Sequence, residues 1–295
     1  ALSTETGATR NDSWIDIDGG ISTLFVFSSK GRREMPNDTV YLDGPPEFLS
    51  RNGTFVGQHI YTPKLGAAVH INAFNFPAWG LAEKLACALL AGMPVVTKPA
   101  TATALVAERW VEIVIDSGIL PSGALQMICG STGDLLDHLG PQDVLAFTGS
   151  AATSLVLRES ALHRVGAARF NVEADSLNAA IWGPDVRMDS PTGDLFLQDV
   201  VREITQKAGQ KCTAVRRILI PSEQIGEVQE ALVARLQGVV IGNPTAEGVT
   251  MGPLATAPQL ADAIAGVAEL AEQAELVLGT GQRSDGVGSP GWHGI

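Results

Sequence analysis

The chain has 295 residues, 45% of them hydrophobic and only 18% charged, with a formal net charge of -12. That apolar share builds packed cores and excludes a disordered acidic tail, and the length suits about two domains of ordinary size. A sequence pI near 4.8 lacks the basic footprint that phosphate backbones and anionic surfaces require, so nucleic-acid and membrane partners are not expected.

Residues 1–60 are polar and turn-rich, with a helix expected around 13–29. The segment from Phe48 to Tyr61 reads as two strands joined by an Asn52-Gly53 turn, a strong hairpin signal. This hairpin is expected at about 47–64, and an isolated one is marginal in water, so it needs a partner edge. From residue 65 the texture changes. Strands are expected at 66–71, 94–97, 125–128 and 144–147, and helices at 77–91, 102–117, 134–139 and 151–159. Pro77 suits a first helical turn and Gly92 a helix end. Such alternation favours a parallel sheet with helices on both faces and ligands at the carboxyl ends of its strands. The most apolar stretch, 65–97, is interrupted by His70, Asn72, Asn75, Glu83 and Lys84, which makes it core and not a membrane span. Further strands are expected at 169–173, 177–182, 216–220 and 276–278, helices at 195–207, 223–237 and 259–273, and a glycine-rich loop at 279–291. The change of character falls near Asp175.

Three cysteines, Cys87, Cys129 and Cys212, form no Cys-x-x-Cys pair, and an odd number cannot complete a disulfide framework. A reducing compartment, the cytoplasm, is therefore expected. The five histidines are scattered, so no metal site is expected. The first residues do not read as a secretory leader, and because Ala1 is not Met the natural start is expected upstream.

Five segments could carry chemistry. Cys212 follows Gly209-Gln-Lys between a helix and a strand, where Lys207 and Lys211 would favour a thiolate nucleophile; the competing reading is a small core residue, as Cys87 and Cys129 are read. Glu173 leaves an apolar strand and suits a general base whose pKa partial burial raises; the alternative is a surface acid. Asn75 lies between aromatics after a buried strand and is either an oxyanion donor or a cap for the helix at Pro77. Phe147-Thr-Gly149-Ser150 is a strand–turn–helix junction of the kind that binds phosphate, although it matches no dinucleotide or P-loop pattern. Lys98, ending a strand, faces either a ligand crevice or solvent.

In this order, Asn72-Ala-Phe-Asn-Phe-Pro77, Lys98-Pro99, Phe147-Thr-Gly-Ser150, Glu173 and Gly209-Gln-Lys-Cys212 resemble the aldehyde dehydrogenase superfamily. Thr6 to Gly20, Glu173-Ala-Asp-Ser-Leu-Asn178 and Lys207 to Ala214 resemble its subgroup in phenylacetate and aerobic benzoyl-CoA breakdown. The resemblance implies an α/β fold: a Rossmann-type parallel-sheet cofactor domain, 1–174, incomplete at its start, and an α/β catalytic domain, 175–295, incomplete at its end. It implies Cys212 as the nucleophile that forms a thiohemiacetal and then a thioester, Glu173 as the base for the deacylating water, and Asn75 with the Cys212 N–H as the oxyanion hole. It assigns Ser150 to the cofactor pyrophosphate and Lys98 to the adenosine ribose, with Thr101, Gly149 and Phe147 also at the cofactor site. The hairpin matches an arm that pairs with a neighbouring subunit, which implies a homo-oligomer. Many NAD-specific members carry Glu where Thr101 stands. That carboxylate would repel a 2′-phosphate, so NADP is the expected cofactor, with NAD possible. The implied substrate is an aldehyde, a CoA-linked semialdehyde of aromatic catabolism, and the alternative is an inactive fragment that only binds nucleotide or partner subunits.

Overall fold

A computed structural model describes residues 2–162, 168–282 and 286–288. It divides into two compact units, Asp16–Ala174 and Ala1–Ile15 with Asp175–Ile295. In chain order, helices α1 (Leu2–Thr6) and α2 (Arg10–Glu34) precede strands β1 (Tyr41–Phe48) and β2 (Val56–Tyr61). There follow β3 (Ala68–Ile71), α3 (Trp79–Leu90), β4 (Val95–Lys98), α4 (Ala104–Asp116), β5 (Leu125–Met127), β6 (Val144–Gly149), α5 (Ala151–Leu162) and β7 (Arg169–Ala174). The remainder is β8 (Asn178–Ile181), α6 (Pro191–Thr205), β9 (Val215–Leu219), α7 (Ile225–Leu236) and α8 (Ala257–Leu270). The short helix expected at 134–139 is a 3-10 turn, Leu135–His138.

Within Asp16–Ala174, five parallel strands form one sheet in the order β5-β4-β3-β6-β7. The chain runs outward from β3 through β4 to β5, then returns to β6 beside β3. That reversal opens a crevice at the carboxyl ends of β3 and β6, where open α/β sheets take their ligands. All four residues of β3 are buried, as a strand covered on both faces requires. One core gathers Ala68, Leu81, Leu85, Val95, Ala107 and Leu125; another gathers Val69, Ile71, Leu145, Phe147 and Leu157.

His70 sits in the middle of β3, between Thr97 of β4 and Ala146 of β6. It is buried, and its Nδ1 has no hydrogen-bond partner among the described residues. Burial, aided by the charge of Lys84, pushes its pKa down from 6.5 to about 4. In the unfolded chain His70 protonates near 6.5, whereas in the fold it resists until about 4. Stability should therefore fall by about 3 kcal/mol as pH drops through that window. Urea midpoints from pH 6.5 to 4.5 should decline less steeply in His70→Leu; an unchanged slope would refute this.

The β1–β2 hairpin pairs Tyr41 with Tyr61 through Phe48 with Val56, with an irregularity between Asp43 and Glu47. Its first strand lies almost wholly before the span expected for the hairpin, 47–64, and its link is longer than the tight turn expected. Gly53 is left-handed (φ +69°) and Asn52 is not, so the pair cannot be the centre of a type I′ turn. Gly53 instead closes a turn back to Ser50 O at 3.2 Å, and Leu49 N reaches Phe55 O at 2.9 Å. Apart from Tyr41 and Gly57, every residue of the two strands is exposed.

In the other unit, β8 and β9 pair in parallel, and Trp182, Leu197, Val200, Val228 and Leu232 form the core. The Trp182 ring meets Phe196 edge-on at 5.1 Å, and its Nε1–H donates to Gln224 Oε1 at 2.5 Å. Helix α6 starts at the Ser190 cap, which accepts from Gly193 N at 3.1 Å. Residues 1–15, expected with the first domain, group with this unit because Gly7 packs on Gly252 so closely that a Cβ there would lie 1.8 Å from the Gly7 carbonyl oxygen. The strand expected at 276–278 is not formed. Leu276, Val277 and Leu278 are exposed and take no regular structure, since three apolar residues without a neighbouring strand have no ladder to join. The loop expected at 279–291 lies partly outside the described residues. Among the described residues no helix is long and apolar enough to cross a membrane, and no cluster of three or more His, Cys, Asp or Glu could hold a metal ion.

Candidate active site

Strands β4 and β6 flank β3, so their carboxyl ends bring several of the expected residues to one rim. Lys98 ends β4, half-buried, with its Nζ donating to Pro99 O at 3.2 Å. Desolvation lowers its pKa, with Cys129 opposing the shift. Thr101 is exposed at the start of the next 3-10 turn, Thr101–Thr103. Phe147, on β6, is buried in the core. At Gly149 a Cβ would lie 2.5 Å from the Phe147 ring, so glycine is required for the turn to pack on that ring. Ser150 precedes α5, where its Oγ accepts from Thr153 N at 3.1 Å and donates to Thr153 Oγ1 at 2.9 Å. A partly desolvated cation, an exposed hydroxyl and a twelve-residue helix opening at a glycine-serine turn fit a dinucleotide, because they offer charge, O–H and N–H groups to phosphate and ribose oxygens.

Asn75 lies half-buried in the loop between β3 and α3. The helix that follows does not begin at Asn75. The N-cap position is Ala78, without a side-chain cap. Asp16, fully buried on α2, takes the first-turn amides instead, with Trp79 N at 2.8 Å and Ala78 N at 3.3 Å. Nothing local announces Asp16, which lies 62 and 63 residues from its partners. Nearby, buried Asn72 donates to Thr97 Oγ1 at 2.9 Å.

Glu173 is on β7, at the sheet edge, and is exposed, so the partial burial expected of it is not found. Its Oε2 accepts from Thr148 Oγ1 at 3.4 Å. It lines a cavity of about 740 Å³ that also holds His70, Glu83, Lys84, Cys87 and Asn171. Lys84 has only 11% of its side chain exposed, with its Nζ 3.6 Å from Glu83 Oε1. Burial lowers the Lys84 pKa against the pull of Glu83 and Glu173. Burial also raises that of Glu83, which Lys84 opposes and Glu173 reinforces. Neither residue stood out from the sequence as functional; the available signal was two adjacent charges in an otherwise apolar helix. Cys87 and Cys129, expected in the core, are both exposed. Desolvation and then Glu83 push the Cys87 thiol up, which disfavours a thiolate there.

Cys212 belongs to the other unit, exposed on the loop 207–214 between α6 and β9. The helix expected to reach 207 stops at Thr205, because Lys207, Ala208 and Gly209 are left-handed in succession, with φ of 53°, 52° and 69°. Two non-glycine residues so placed cost about 1–2 kcal/mol each, so the surroundings must hold them. Buried Asp12 accepts from Lys207 N at 3.1 Å. Gln210 Nε2 donates to Lys207 O at 3.0 Å, Arg216 donates to Gly209 O at 2.8 Å, and Gln210 Oε1 accepts from Ala255 N at 3.0 Å. Lys211, expected to favour the thiolate, is buried and turned elsewhere. Its ammonium is bonded to Glu203 Oε2 and Gln206 Oε1, both at 2.7 Å.

The model of the aldehyde dehydrogenase family matches residues 1–291. The chain is 46% identical over 273 residues to a 3,4-dehydroadipyl-CoA semialdehyde dehydrogenase of Aromatoleum evansii, covering 92% of this chain and 53% of that protein. It is 28% identical to an alpha-ketoglutaric semialdehyde dehydrogenase of Bacillus subtilis, covering 78% and 46%. Its fold is similar to a succinic semialdehyde dehydrogenase from Streptococcus pyogenes solved with NADP+ (TM-score 0.82, 20% identity, 97% of this chain and 59% of that one). It is also similar to a betaine aldehyde dehydrogenase from Staphylococcus aureus solved with NAD+ (TM-score 0.81, 23% identity, 96% and 53%). The chain spans about half the length of the curated relatives it matches.

Proposed function

The chain belongs to the aldehyde dehydrogenase family, and from that premise we propose that it supplies the nucleophile, base and cofactor cradle for NAD(P)-dependent oxidation of a CoA-linked semialdehyde to its acid. The observation that carries this reading is the braced left-handed loop that presents exposed Cys212. The substrate class is supported by the 46% identical relative, named for a CoA-linked semialdehyde; the place in phenylacetate breakdown is part of the same proposal.

The Cys212 thiolate adds to the aldehyde carbon, and the carbonyl π electrons move to oxygen, where the Asn75 amide and the Cys212 N–H donate to the oxyanion. A nicotinamide dinucleotide supplies the acceptor for the hydride that leaves this carbon. The resulting Cys212 thioester is attacked by water as Glu173 takes the water's proton; the carbon–sulfur bond breaks and the acid departs. Lys98, Thr101, Gly149 and Ser150 hold the dinucleotide, with Phe147 supporting the turn from below. Nothing in the geometry or the relatives favours the inactive-fragment alternative.

NADP is the favoured cofactor in this proposal, because Thr101 puts a hydroxyl three residues beyond Lys98 where a carboxylate would repel a 2′-phosphate. A partly solvated contact of this kind contributes about 1–3 kcal/mol. The test is reduction of each nucleotide by the full-length protein with a series of CoA-linked semialdehydes. NADP is expected to serve at least as well as NAD. Tenfold tighter NAD binding would overturn the cofactor assignment, and no turnover with any aldehyde would overturn the activity.

The proposal places the enzyme in the cytoplasm, in keeping with its odd number of cysteines, and extends to subunit association through the hairpin, whose strands are exposed along nearly their whole length. Light scattering at micromolar concentration should return more than one subunit mass, and a monomer would count against it.

A further inference from the structure

The segment that follows β7 turns sharply at Asp175, whose φ of +49° is one that Asp tolerates better than most residues. Two polar side chains just beyond it reach the loop that carries Cys212. Ser176 Oγ donates to the Cys212 carbonyl oxygen. Asn178 Nδ2 donates to the same oxygen at 2.6 Å and to Ala214 O at 3.2 Å. The ladder explains why this is possible. Asn178 is opposite Val215, but Ala179 is opposite Arg217, so Arg216 is an extra residue on β9. Such a bulge re-aims side chains, and Arg216 reaches back to the Gly209 carbonyl at 2.8 Å. The carbonyls of Gly209, Cys212 and Ala214 are thus each held by a side chain from β8, β9 or the residues leading into β8.

We propose that Ser176 and Asn178 are positioning residues for the Cys212 nucleophile. By holding the Cys212 carbonyl they fix the plane of the peptide that follows it, and with it the direction in which the Cα–Cβ bond carrying the thiol leaves the backbone. An exposed thiol on a loop otherwise samples several rotamers and backbone tilts, and a displacement of about 1 Å can cost about 100-fold in rate. This inference rests on the reading of Cys212 as nucleophile and deepens it.

The test uses Asn178→Asp, which keeps the shape but exchanges the amide donor for an acceptor that repels the carbonyl, together with Ser176→Ala and Ser176→Thr, in the full-length enzyme. Asn178→Asp should lower the pre-steady-state burst rate and kcat by about ten- to 100-fold with nucleotide KM unchanged. Ser176→Ala should lower them less, and Ser176→Thr, which retains the hydroxyl, should restore them. Alkylation of Cys212 by iodoacetamide should slow in parallel across the pH range, and in Ser176→Ala it should do so at unchanged melting temperature. If Asn178→Asp fails to fold, the Ser176 pair decides. Wild-type burst and alkylation rates in Ser176→Ala would overturn the positioning role, as would their loss in Ser176→Thr. Retained activity in Cys212→Ala would instead overturn the underlying reading, so the two failures are distinguishable.

Discussion

Cys212→Ala is expected to lower aldehyde turnover by about 10⁴-fold or more, the scale on which removal of a covalent nucleophile acts. The side chain is exposed, so its truncation leaves no core cavity, and the melting temperature should move little. Nucleotide binding should persist, because Lys98, Thr101 and Ser150 lie in the unit Asp16–Ala174 and Cys212 does not. Steady-state kinetics beside a nucleotide titration check both halves. Turnover within tenfold of wild type would remove Cys212 from the reaction, and lost nucleotide binding would mean the substitution had disturbed more than the thiol.

Glu173→Gln should separate the two halves of the reaction. Gln keeps the shape and can still accept the Thr148 hydroxyl, which reaches Glu173 Oε2 at 3.4 Å, so local structure is preserved. What it loses is the ability to take a proton from water, a contribution of about 10²–10⁴-fold for a general base. Stopped-flow traces should show one fast burst of reduced nucleotide, roughly stoichiometric with Cys212, followed by turnover slowed by that factor. A variant without the burst would move Glu173 to the earlier step, activation of the thiol. A variant as fast as wild type throughout would hand the proton to another group, with Glu83 of the same cavity the first to examine.

The alternation of strands and helices from β3 to α5 was legible because its signals are local. Apolar periodicity selects helix or strand over one short window, and Pro77 and Gly92 mark ends within a residue or two. Motif residues such as Lys98 and Ser150 were legible for the same reason, since a strand's carboxyl end follows from where the strand stops. The hairpin was readable as a hairpin, but the hydrogen bonds of Ser50 and Leu49 lengthened its link beyond the dipeptide that announced it.

Tertiary structure decided what depends on distant partners. The first-turn amides of α3 found their acceptor in Asp16 on α2, 62 and 63 residues away, because a buried amide takes whichever acceptor the packing delivers. Lys211 stands one residue from Cys212, yet its charge went to Glu203, since a buried ammonium must find a carboxylate and sequence proximity does not supply one. Lys207 and Ala208 adopt a left-handed conformation that their own propensities oppose, and Asp12, 195 residues away, helps hold it. Short-range sterics and periodicity are written in neighbouring residues and can be read there; the satisfaction of buried polar groups is a three-dimensional requirement, met by residues that only the folded chain brings within hydrogen-bonding distance.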